Sequence, residues 1–79
     1  MNGGRNMKNK IKEILEEKNI KIIDLARMTG LHYGFVHGVV NKQDLQYTQL
    51  KTLRKIAEAL DVKVSDLYEI EGGERDAKK

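Results

Sequence analysis

Ile22 to Asn41 reads IIDLARMTGLHYGFVHGVVN. Ile22, Leu25, Ala26 and Met28 recur at helical spacing up to Thr29, and Gly30 follows directly. A glycine in that place stops a helix, because it takes the left-handed conformation without a Cβ penalty. A second helix is predicted from His32 to Val40. It is weak by propensity, since Gly34 and Gly38 each cost about 1 kcal/mol relative to alanine in a helix interior, and it depends on its neighbours to form. Two helices that meet at a steep angle need a small residue at the crossing, a turn former between them and apolar plugs on the second. Ala26, Gly30 and the trio Leu31, Val36 and Val39 supply these at mutually consistent spacing. The stretch is a helix-turn-helix centred on Gly30.

Upstream, Ile11, Ile14 and Leu15 alternate with Lys12, Glu13, Glu16 and Glu17, which predicts an amphipathic helix over Lys10 to Lys18 ended near Asn19. Met1 to Asn9 is polar, contains Gly3 and Gly4 and has no apolar period, so residues 1–9 are expected to be a flexible lead-in. Downstream, Asn41 to Thr48 has no clear period and is expected to be a loop, with Thr48 as N-cap of the next helix. That fourth helix carries the strongest pattern in the chain: Leu50, Leu53, Ile56, Ala57 and Leu60 form one stripe, opposed by Lys51, Arg54, Lys55 and Glu58. Ser65 is expected to open a short fifth helix through Leu67 and Tyr68 to Ile70, with Val62 and Val64 closing the bottom of the core. Residues 71–79 are expected to be a flexible charged tail. No internal repeat is present.

Composition narrows the class. A chain of 79 residues allows one domain, here residues 10–70, and leaves little room for a second core. With no cysteine and no proline, neither a disulfide scaffold nor a thiolate metal site can support it, so stability must come from helix packing. The formal net charge of +3 and a pI near 9.2 are compatible with a polyanionic partner but do not demand one. No apolar run approaches the roughly 20 residues of a membrane span, and the N-terminus lacks the apolar stretch of a signal peptide; a soluble cytoplasmic protein is expected. His32 and His37, five residues apart, lie about 140° apart on a helix with no third ligand near in sequence, so no metal or other cofactor is expected. Catalysis is not expected either, because neither histidine has a nucleophile partner in evident reach.

The motif around Gly30 resembles the helix-turn-helix of the phage repressor and Cro family, also called the xenobiotic-response-element (XRE) family. The resemblance runs on through LKTLRKIAEALDVKVSDLYEI, Leu50 to Ile70, which looks like the fourth and fifth helices of that family, and back through IKEILEEKNI, Ile11 to Ile20. It implies an all-α, five-helix, lambda-repressor-like domain, and a repressor-like transcription regulator whose helix over His32–Val40 enters the major groove of double-stranded DNA as a homodimer.

Three departures from the family pattern bear on the site. An Arg late in the first helix and a Glu near the end of the recognition helix often pair in this family; here the matching residues are Leu15 and Val40. Hydrocarbon in place of a buried ion pair can be neutral or stabilising, so Leu15 and Val40 are predicted to touch. Where the family presents a Ser or Thr cap followed by Gln, this chain has Lys21 and Ile22; Lys21 can still meet a phosphate, whereas Ile22 leaves only backbone amides. On the recognition helix, a step of about 100° per residue with Val36 and Val39 inward turns Gly34, His37, Gly38 and Asn41 outward, with Tyr33 and Phe35 on the flanks. The family's usual base-contacting positions fall on Tyr33, Gly34 and Gly38, with His37 beside them and Asn41 at the end. Phosphate contacts are expected from Lys21, His32, Lys42, Lys51 and Arg54, and dimer contacts from Leu67, Tyr68 and Ile70.

Blander readings stand beside these. Gly34 and Gly38 are either small residues tolerated on a surface or a strip that lets backbone approach a partner. Phe35 is either a half-buried flank of the core or a contact to a thymine methyl or a protein. Lys42, Lys51 and Arg54 are otherwise a solvated face. A rival function follows from the apolar Ile22 and Phe35 around two glycines: a protein-binding module, such as an antirepressor or adaptor of a mobile element, that keeps the scaffold without reading bases.

Overall fold

The computed structural model describes residues 6–71. Strand β1 (Asn6–Asn9) leads into helices α1 (Ile11–Lys18), α2 (Ile22–Thr29), α3 (Tyr33–Val40) and α4 (Leu50–Leu60), followed by a 3₁₀ turn (Val64–Leu67) and strand β2 (Tyr68–Glu71). The α2–α3 pair is the predicted helix-turn-helix. Gly30 sits at φ 73° with its N–H donating to the Ala26 carbonyl at 2.9 Å. Thr29 tightens the same corner: its hydroxyl donates to Leu25 and Ala26 carbonyls and accepts the Leu31 N–H. Helix α1 ends at Asn19, as its sequence predicts, and does so in the left-handed region, as α4 does on Asp61.

Two expectations are corrected. The domain is not all-α, and among the described residues there is no fifth α-helix. Residues 6–9, expected within a lead-in, pair antiparallel with 68–71, Met7 opposite Ile70 and Lys8 opposite Glu69. The 3₁₀ turn cannot extend as a helix, because the chain straightens at Tyr68 to meet β1. Tyr-Glu-Ile-Glu is in fact an alternating apolar-polar string, the pattern of a half-buried strand. Neither expected helix start is used: Gln49, not Thr48, is at the N-cap of α4 without a side-chain cap, and the 3₁₀ turn begins after Lys63, whose N–H donates to the Asp66 carboxylate, with Ser65 inside the turn. The expected lead-in over residues 1–5 and the tail from Gly72 lie outside the described residues.

The core gathers Ile11, Ile14 and Leu15 from α1, Leu25 and Ala26 from α2, Val36, Val39 and Val40 from α3, and Leu53, Ile56, Ala57 and Leu60 from α4. Leu45, in the α3–α4 loop, and Leu67 complete it with no exposed surface. One member of the predicted α4 stripe departs from it: Leu50 is 53% exposed at the first turn, and Thr52 is buried. Leu15 and Val40 share the buried cluster and face one shallow depression together with Ile20, Ile22 and Tyr33.

Candidate nucleic-acid interface

Helix α3 has only eight residues, two of them glycine, so its position is decided by what holds its ends. At the N-terminus, His32 is the cap: its Nδ1 accepts the Gly34 N–H at 3.1 Å. An accepting Nδ1 places the imidazole proton on Nε2, leaving that N–H as the ring's outward donor. At the C-terminus, the Asn41 side-chain amide donates back to the His37 carbonyl at 2.9 Å.

The strongest tie comes from outside the motif. Asn9 Nδ2 donates to the carbonyls of Val39 (2.8 Å), Val40 (3.1 Å) and Lys42 (2.8 Å), and its Oδ1 accepts the Ile11 N–H at 2.9 Å. One side chain therefore covers the orphan carbonyls at the end of α3 and an orphan amide at the start of α1. Sequence reading missed this role. An Asn just before a periodic apolar run is a helix-start signal and could have revealed the half of it that concerns α1.

The α3–α4 loop is held to β1 by backbone. Leu45 N–H donates to the Met7 carbonyl at 2.9 Å and Asn9 N–H to that of Gln43 at 3.2 Å, with a bridge between Lys8 and Asp44. The Asp44 carboxylate accepts the Gln46 N–H (2.9 Å), the Met7 N–H (3.0 Å) and the Gln46 side-chain amide (2.6 Å). The Gln46 backbone amide, aided by that of Met7, holds the carboxyl below the usual aspartate range against a partial opposing effect of burial.

The outward face of α3 is exposed at Tyr33, Gly34, Phe35, His37 and Gly38, and continues into exposed Asn41. Tyr33 and His37, one turn apart, bring their rings to 5.8 Å at a tilt of 44°. Between that aromatic pair and Phe35 runs a backbone-level strip. A Cβ on Gly38 would meet nothing within 4 Å, and one on Gly34 would meet only the His32 ring, at 3.3 Å.

The expected phosphate residues all lie exposed, on several elements: Lys21 and His32 at helix starts, Lys42 after α3, Lys51 and Arg54 on α4. Lys42 Nζ reaches the Thr48 hydroxyl at 3.4 Å. The α4 N-terminus, where Lys51 sits, has no side-chain cap, which leaves the positive end of its dipole unopposed. At the α2 N-terminus the Asp24 carboxylate already accepts the Lys21 N–H at 3.3 Å, so an anion arriving there meets a negative charge. From Leu25 to Ala57 the chain carries five cations, Arg27, Lys42, Lys51, Arg54 and Lys55, against one acid, Asp44. The remaining carboxylates belong to the segments before and after.

The three residues expected to form a dimer contact do not share a surface. Leu67 is fully buried, Tyr68 partly so, and Ile70 is 49% exposed on β2. A strand, not a helix, carries the last two, which places Tyr68 and Ile70 on one face of β2, while Leu67 is drawn into the core. Among the described residues no group of acidic, histidine or cysteine side chains could hold a metal, and no helix is long and apolar enough to cross a membrane.

Residues 10–73 match the family model described as the Cro/C1-type HTH DNA-binding domain. No curated protein and no solved structure matches the chain. The matched region contains the whole of the α2–α3 motif, α4 and the closing turn, and with it the exposed α3 face and its neighbouring cations. The chain belongs to the Cro/C1-type helix-turn-helix family of DNA-binding domains.

Proposed function

We propose that this chain is a sequence-specific, repressor-like transcription regulator that acts on cytoplasmic DNA, with α3 seated in the major groove. The observation that carries the reading is the acid-poor run from Leu25 to Ala57. Its exposed cations lie on α2, just after α3 and on α4, the elements that precede and follow an outward α3 face on which Tyr33, His37 and Asn41 bear hydrogen-bonding groups. Cations on the elements flanking an inserted helix supply affinity through phosphates; polar groups on the helix itself supply discrimination through base edges. In this reading Tyr33, His37 and Asn41 read bases, Gly34 and Gly38 admit the helix backbone to the groove, and Lys21, His32, Lys42, Lys51 and Arg54 meet phosphates. His32 does so through Nε2–H while its Nδ1 caps the helix. A domain of this size covers few base pairs, so two copies bind neighbouring half-sites as a homodimer.

The test is selection from random duplexes, followed by salt titration on the selected site. A defined motif with a steep salt slope is expected. Lys51→Ala should weaken binding to every sequence and lower the slope by about 1, whereas Tyr33→Ala and His37→Ala should alter which sequence is preferred. Equal losses on all sequences for all three variants would sink the assignment.

One observation favours the rival, a protein-binding module. Phe35, Tyr47 and Leu50 are large apolar residues exposed on α3, the following loop and the start of α4. Under that reading the selection returns no motif.

A further inference from the structure

Phe35 is 48% exposed and is the only exposed side chain of α3 that has no hydrogen-bonding atom. Together with Val39, Lys42, Tyr47, Thr48, Gln49 and Thr52 it lines a recess of about 250 Å³ between α3 and the start of α4. Phe35 is thus adjacent in the helix to the glycine strip and shares a recess with Lys42 and the uncapped α4 N-terminus. If α3 enters the major groove, this places the ring between the base edges and one strand's phosphates.

The chemistry available there is narrow. The major-groove edges of adenine, guanine and cytosine offer donors and acceptors, and pressing a phenyl ring on them would desolvate those groups without replacing their hydrogen bonds. Thymine alone presents an apolar group, the C5 methyl, and it projects on the side of the base nearest its own backbone. The absence of side chains at Gly34 and Gly38 matters for reach, because with neither Cβ present the helix can settle deep enough for a flanking ring to touch a base. From this placement we infer that Phe35 is a specificity-determining residue that reads thymine through its 5-methyl group. The inference rests on the major-groove reading given above.

Replacing thymine by uracil removes the methyl and nothing else. In the duplex selected by the wild-type chain, each thymine is exchanged singly for uracil, and affinities are measured for wild type, Phe35→Ala and Phe35→Leu, with thermal melts to verify folding. One exchange should weaken the wild type about fourfold, the worth of one buried carbon. The same exchange should leave Phe35→Ala unaffected, and Phe35→Leu, which keeps an apolar side chain, should retain part of the sensitivity. A selected motif that lacks thymine, or a uracil penalty of equal size in wild type and Phe35→Ala, overturns the role of Phe35 while leaving groove binding intact. A wild-type chain that selects no motif overturns both.

Discussion

Asn9 shows how much one side chain can organise. Its amide faces two carbonyls at the end of α3 and a third just beyond it, and its oxygen accepts an amide of α1, so truncation leaves acceptors at the α3 end and a donor of α1 unpaired. Asn9→Ala should cost about 2 kcal/mol in urea denaturation, from several hydrogen bonds each worth roughly 1. Asn9→Asp is the sharper variant. It keeps the acceptor for Ile11 but turns a carboxylate toward the α3 carbonyls, and should be no more stable than Asn9→Ala. The two glycines of α3 differ in the same local way. Gly38→Ala places its methyl in open space and should raise stability by about 0.5–1 kcal/mol through helix propensity. Gly34→Ala brings a Cβ to 3.3 Å from the capping His32 ring and should gain less. Thermal melts of the two variants check the order, and a fall in DNA affinity for the stabilised Gly38→Ala is expected where the helix backbone approaches the bases.

At the scale of elements, α3 is a short helix held by its caps, and α4 a long one held by its stripe. The His32 cap satisfies an amide that no intrahelical carbonyl can reach. His32→Ala should lower stability by about 1 kcal/mol, and His32→Asp should recover it, since Asp is a strong N-cap; loss of the same size in both would show that the ring serves by packing instead. The α3–α4 loop is likewise an ordered element. Leu45 plugs the core and Asp44 ties the loop to β1, which places Lys42 and Lys51 at the two ends of a fixed connection.

The whole molecule closes through its ends: β1 and β2 join residues that are among the farthest apart in sequence, and β1 also anchors the loop beside the recognition helix. Asp44 links that closure to pH. Its folded carboxyl is held below its ordinary value, chiefly by the Gln46 amide, so its contribution to stability is present above the ordinary aspartate range. It is lost as pH falls through the lowered folded value. Wild type should therefore lose stability on acidification over that window, and Asp44→Asn should show a flatter acid limb in denaturation measured from neutral to low pH. An unchanged acid limb in Asp44→Asn would remove Asp44 from the linkage.

The sequence by itself determined the four helices, the end of α1 near Asn19, the left-handed stop at Gly30 and the inward residues of α1 and α3, because each follows from spacing within one or two turns. It also determined the outward direction of Gly34, His37 and Gly38, since two inward valines orient so short a helix, while the exposure of the flanking Tyr33 and Phe35 was left to the packing around them. Tertiary structure decided what depends on partners distant in the chain. Met7 and the Tyr-Glu-Ile-Glu string become strands only because they find each other, and a four-residue strand has too few alternations to announce itself. Leu67 is withdrawn from the surface by the same pairing. Leu50 leaves the core because helix α4 begins beyond its edge, which period alone does not reveal. Asn9 and Asp44 were legible as polar residues near turns, but a hydrogen bond spanning 30 or 37 residues leaves no mark on local pattern. The position of the recognition helix is therefore written partly in the segment that carries the least recognisable signal of its own.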